Sequence, residues 1–258
     1  MMKSFRSYLM ESVQIPPITD TKAYAEWLQS NLIELGGWFN GAWFGATPKD
    51  AIYSKLQTLI SSFQNANSWI LSMGHTPAVS PSKLYRSFPV DHLRDNFVSD
   101  EYKKELDFFL DSPKSSPERA LSIMQILNYE FKNKTLALDT GLLPVQSWTE
   151  SFLAAEQFYM DYKNVQFRGQ KHSIFTIVES NFTSPGILFY YKNLKTIQSL
   201  LSSYVTKIKG HAAALSLYQL SEQLEDLVDS YYKEQETVVD TTIPRLVTVK
   251  QVYFNNPK

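Results

Sequence analysis

From Lys192 to Tyr231 the apolar residues recur at helical spacing, and directly afterwards the chain reads as strand. Leu194, Ile197, Leu201, Tyr204 and Ile208 form one helical stripe; Leu217, Leu220, Leu224 and Leu227 form a second, broken from the first near Gly210. Glu234-Gln235-Glu236 then leads into Thr237-Val238-Val239, a turn signal covers Asp240 to Pro244, and Leu246-Val247-Thr248-Val249 is a second β-rich run. A chain that changes period this abruptly is expected to be α+β. Residues two apart in a strand share a face, so a strand opening at Glu234 would send Glu234 and Glu236 into one site. Paired carboxylates at a sheet mouth stabilise a cation, orient a hydroxyl or act as a base; two solvated acids on a strand edge is the plain alternative.

Elsewhere the chain supplies a helical start and more strands. Thr19 or Asp20 is placed to cap a helix carrying Tyr24, Leu28, Leu32 and Leu35 on one face, which Gly36-Gly37 should end. Trp38 to Gly45, rich in aromatics and glycine, packs the next corner or lines a pocket. Thr47-Pro48 starts a second helix bearing Ile52, Leu56, Leu59 and Phe63. After the Pro-containing linker Gly74 to Ser82, Lys83 to Phe88 reads as a short strand with Arg86 in an apolar setting, where a buried guanidinium needs an anion or carboxylate. Tyr102 to Leu110 is expected to be helical, and a further helix starts at Ser116-Pro117-Glu118. Pro144 to Ser151 places Ser147 and Thr149 on one face at a strand end, before a helix with Phe152, Ala155 and Phe158. Those hydroxyls can hold a carboxylate rotamer or cap the helix. Val165 to Val178, with a turn at Arg168-Gly169-Gln170, and Ile187 to Tyr191 are further strand candidates.

Composition narrows the function. The 258 residues are 43% hydrophobic and 14% aromatic, enough for a substantial core. Lys+Arg 25 against Asp+Glu 26 offers no basic face for nucleic acid. Without cysteine there is no disulfide, thiolate metal site or cysteine nucleophile. No apolar run has the length to cross a bilayer. His75, His92, His172 and His211 lack metal-ligand spacing, so no metal is expected, and no Gly-rich phosphate loop is present.

The N-terminal stretch has Lys3 and Arg6 but no apolar signal core; Phe5, Tyr8 and Leu9 share a helical face. With Leu9-Met10-Glu11-Ser12 it resembles the capsid-targeting leaders of internal head proteins in T-even-like phages, where a prohead protease cuts after Leu/Ile-x-Glu. That resemblance implies trimming after Glu11, a place inside the phage head and later delivery to the host cytoplasm. The alternative is an ordinary first helix.

Three islands stand in order: Tyr85-Arg86, Ser147-Trp148-Thr149 and Glu234-Gln235-Glu236. The set resembles the arginine-type mono-ADP-ribosyltransferases, whose signature is Arg, Ser-Thr-Ser and Glu-x-Glu. Ala155 and Phe158 after the second island, and Val238-Val239, Pro244 and Leu246 to Val249 after the third, match its flanks. The match departs at Ser87, often glycine in the family, and at Trp148 in the middle motif. A rival register starting at Phe167-Arg168-Gly169 with Thr183-Ser184 leaves too little chain for the intervening helix. The resemblance implies a split two-sheet domain with NAD as substrate and no metal. Glu236 would be the catalytic glutamate, held by Ser147; Glu234 would orient or deprotonate an acceptor arginine. Arg86, Ser87, Ser147, Trp148, Thr149 and Glu236 would contact NAD, and Tyr231 and Tyr232 would recognise the target protein. The implied organisation is a leader over 1–11, a helical unit over 12–80, and an ADP-ribosyltransferase-like domain over 81–258 with the 192–230 stretch as a helical insertion beside the sheet. The implied function is arginine ADP-ribosylation of a host bacterial protein after injection, with no membrane or direct nucleic-acid partner. An NAD glycohydrolase or an inactive packaged virion protein stands as the alternative.

Overall fold

The computed structural model describes residues 14–39, 49–89, 125, 129, 135–138, 145–162, 174–183, 186–208, 210, 212–241 and 245–254, with the backbone alone at 49–57, 88–89, 135–138, 158–162, 174–175, 229–234, 245 and 254. The leader, the expected helices at 102–110 and from Ser116, and the turn at 168–170 lie essentially outside the described residues. Among the described residues, helices with defined bounds are α1 (Thr21–Phe39), α2 (Lys49–Ser72), α3 (Phe152–Tyr162), α4 (Lys192–Val205) and α5 (Ala214–Glu234). Strands are β1 (Lys83–Pro89), β2 (Thr135–Leu138), β3 (Val145–Thr149), β4 (Ile174–Asn181), β5 (Ile187–Tyr190), β6 (Glu236–Asp240) and β7 (Arg245–Phe254). The α+β class is therefore as expected. No described helix is long and apolar enough to cross a membrane.

The chain forms two compact units, one from Met1–Ser80 with Leu188–Lys233, the other from Pro81–Ile187 with Glu234–Lys258. The first is helical. Asp20 caps α1, its Oδ1 accepting the Ala23 N–H at 3.1 Å. The predicted faces are buried: Tyr24, Leu28, Leu32 and Leu35 on α1, Leu59 and Phe63 on α2, and the full Leu194-to-Ile208 stripe on and after α4. Phe63 stands edge-on to Trp38 and Phe39, at 5.9 and 6.4 Å, and its ring lies 5.7 Å from that of Phe189. Trp38 and Phe39 are thus core residues. Trp69 Nε1 donates to the Tyr24 hydroxyl at 2.6 Å, which satisfies the polar edge of a fully buried indole.

Two expectations fail here. Gly36 and Gly37 do not end α1, which runs on to Phe39. A Cβ on Gly36 would stand 2.5 Å from Leu220 Cδ1, so the glycine serves close helix approach rather than termination. The 192–230 stretch, expected as an insertion in the second domain, groups instead with the first unit. It packs with the N-terminal helices: Gln29 donates to Ser216 at 3.2 Å, and the Tyr204 hydroxyl donates to the Thr21 carbonyl at 3.3 Å. Periodicity told which face each helix buries but not which partner receives it. Gly36→Val should then lower stability by about 1–3 kcal/mol, the usual range for overpacking a filled core, despite valine's better helix propensity. Urea unfolding of the two proteins checks this.

The second unit is built on an antiparallel sheet whose strands run β2-β7-β4-β1-β3-β6. β1 matches β4 along its whole length, and β3 matches β6 along its whole length. Between β1 and β3 the register holds at one pair, Tyr85 with Thr149. Helix α3 packs on β1, β3 and β4. Its N-terminus is capped by Ser151, whose Oγ accepts the Ala154 N–H at 3.2 Å, so neither Ser147 nor Thr149 is spent as the cap. Both stay in β3.

Candidate functional site

Adjacent strands β1, β3 and β6 carry the three sequence islands. Residues directly opposite in an antiparallel pair share a face, as do residues two apart. Thr149 opposes Glu236 and Ser147 opposes Val238, so Ser147, Thr149 and Glu236 lie on one face. Ser147 and Glu236 are diagonal neighbours, within reach of a long side chain. The Ser147 hydroxyl donates to Glu236 Oε1. On the other side of β3, Arg86 Nη1 donates to the Ser147 carbonyl. One serine thus receives a cation on its backbone and presents a donor to an anion. Glu236 is only 6% exposed. A carboxyl group that far from water needs hydrogen-bond partners, and Ser147 supplies one.

How Glu236 reaches that place differs from expectation. Glu234 does not open the strand; it is the last residue of α5, and β6 starts at Glu236. Gln235 between them has φ 51°, the left-handed region. Two acids separated by such a residue do not obey strand alternation, so the argument that put Glu234 and Glu236 on one face does not hold. The side chains of Tyr231, Tyr232 and Glu234 lie outside the described residues.

Thr149 accepts the Ser151 N–H at 3.1 Å and is buried beside Glu236 in the cross-strand row. Ser87 is half-buried and, two residues from Tyr85, falls on the same sheet face. Trp148 is different. It opposes Thr237 on the reverse face, is 2% exposed, and meets the Phe182 ring edge-on at 4.9 Å. It belongs to the core, not to a cofactor surface. Alternation along β3 puts it there, and the motif comparison overlooked that.

The same row continues from Thr149 to Tyr85 and Glu179. Lys83 and Lys250 place their ammonium groups 3.6 and 3.4 Å from Glu179 Oε2. Partial burial, then the hydrogen bond and charge of Glu179, hold the Tyr85 phenol above its ordinary pKa. Phe152 of α3 sets its ring edge-on to Tyr85 at 5.8 Å. This cluster carried no motif and was not singled out in the sequence. It joins β1, β4 and β7. Among the described residues no group of three or more His, Asp or Glu is arranged to hold a metal.

Comparison of the chain with protein-family models, with curated proteins and with solved structures found no match.

Proposed function

We propose that this chain is an NAD-dependent mono-ADP-ribosyltransferase that modifies arginine on a partner protein. The observation that carries the reading is the chain of contacts Arg86 to Ser147 to Glu236. Residues from three distant islands, ordered as in the arginine-type transferases, lie on neighbouring strands and are joined by these two hydrogen bonds, which supports the reading. The strands form one continuous sheet in which β1 pairs with β3, where the resemblance implies two sheets.

In the proposed reaction the bond between the nicotinamide nitrogen and ribose C1′ breaks, and nicotinamide leaves as a neutral base with the electron pair. Positive charge develops on the ribose. Glu236, fixed by Ser147, stabilises that charge without reorganising at the moment of reaction. Arg86, one residue from Tyr85 and so on the Trp148 face of the sheet, braces the Ser147 peptide rather than facing NAD. An acceptor guanidinium nitrogen attacks C1′, and its proton leaves to Glu234 or to water. Hydrolysis is the second reading, favoured by the place of Glu234 at a helix end rather than beside Glu236 on the strand; water would then be the acceptor. The host setting, with the leader trimmed by a prohead protease, packaging in a phage head and action on a host protein, rests on Leu9-Met10-Glu11-Ser12 and belongs to the proposal.

Nicotinamide release from NAD by the chain, with bacterial lysate supplying the acceptor, tests the reading. Ser147→Ala removes the donor to a buried carboxylate, a charged hydrogen bond worth about 1.5–3 kcal/mol. If that energy acts mainly on the transition state, kcat falls about 10–100-fold while KM for NAD changes little. No release by well-folded wild type would sink both NAD readings.

A further inference from the structure

We propose that Gln235 is a positioning residue of this site, acting through its backbone rather than its side chain. The inference rests on reading Glu236 as the catalytic carboxylate. Helix α5 ends at Glu234 and β6 begins at Glu236, which leaves one residue to turn a helix into a strand. Gln235 does so with φ 51°, the one described non-glycine residue with positive φ. A left-handed residue after the last helical turn is a common helix stop, filled in most proteins by glycine or asparagine because a Cβ crowds the following carbonyl. Its carbonyl is turned toward the sheet, where it accepts the Glu150 N–H in a long 3.4 Å bond. That bond ties the elbow to the residue after β3, next to Thr149, which opposes Glu236. The elbow therefore fixes where β6 starts, and with it the height of Glu236 against Ser147.

Because the role belongs to the backbone, side-chain identity should matter only through its tolerance of the left-handed region. Gln235→Gly and Gln235→Asn should keep kcat for nicotinamide release within about twofold, since both adopt that region readily. Gln235→Val, β-branched and an outlier there, should lower kcat about 10–100-fold with KM for NAD nearly unchanged, the size of effect expected for a misplaced catalytic group. A turnover-independent readout runs in parallel: the Glu236 side-chain carboxyl carbon, followed by NMR through a pH titration. The Gly and Asn proteins should reproduce the wild-type titration, and the Val protein should not. If Val fails to fold, Gln235→Thr, also β-branched, carries the same arm. Wild-type kcat and titration in the β-branched variant, or equal losses in Gly and Val, would overturn the proposal. If wild type shows no turnover, the transferase reading fails while the titrations still decide whether Gln235 positions Glu236.

Discussion

Glu236→Gln is expected to lower kcat for ADP-ribosyl transfer by about 10²–10³-fold, the loss seen when one fixed electrostatic partner of a transition state is removed, on the order of 3–4 kcal/mol. Glutamine keeps the size of the side chain, and its amide oxygen can still accept the Ser147 hydroxyl, so the β3–β6 pairing survives. What disappears is the negative charge. In the proposed reaction that charge faces a ribose that becomes positive only as nicotinamide leaves, so the loss should fall on kcat and leave KM for NAD within a few-fold. Steady-state kinetics of the two proteins, with matched thermal melts, separates this from unfolding. An unchanged kcat would remove Glu236 from the chemistry.

The second large effect concerns stability. Trp148→Ala should destabilise the protein by about 3–5 kcal/mol, the usual range for removing a large aromatic from a core that cannot collapse around the gap. At roughly 2–4 °C per kcal/mol for a chain of this size, the melting temperature should fall by about 10 °C. The reason is placement: Trp148 lies under the sheet against Phe182, on the face away from Ser147 and Glu236. If the indole instead lined a nicotinamide pocket, Trp148→Ala would raise KM for NAD and leave the melt near wild type. Thermal denaturation and NAD kinetics on one preparation distinguish the two placements.

Local pattern carried much of the fold. The α1 face, the α4 stripe, the strand at Lys83 to Phe88 and the strand ending in Ser147-x-Thr149 were all readable, because helix and strand periods determine which residues one surface can bury. Long-range partnership was not. That α5 packs on α1 depends on Gly36 meeting Leu220, a contact across almost the whole chain, and a glycine pair in isolation reads as a stop. The site shows the same division. Arg86, Ser147 and Glu236 were singled out by the order of their motifs; Arg86 donates to the Ser147 carbonyl and the Ser147 hydroxyl to Glu236. Glu234 was misassigned to the strand because strand alternation was extended one turn too far into α5; the helical stripe up to Tyr231 was the available signal. Trp148 was read from its motif position, although alternation within β3 already put it opposite its neighbours. Glu179 with Lys83 and Lys250 joins three strands, and no local pattern announces such a cluster.

Glu236, held by Ser147, is proposed to drive transfer of ADP-ribose to arginine. This proposal is tested most directly by incubating wild type and Glu236→Gln with NAD labelled in its ADP-ribose part and a bacterial lysate, then locating the label on protein by mass spectrometry. The account predicts label on arginine with wild type and almost none with Glu236→Gln. Folded wild type that leaves both NAD and the lysate proteins unchanged would contradict it.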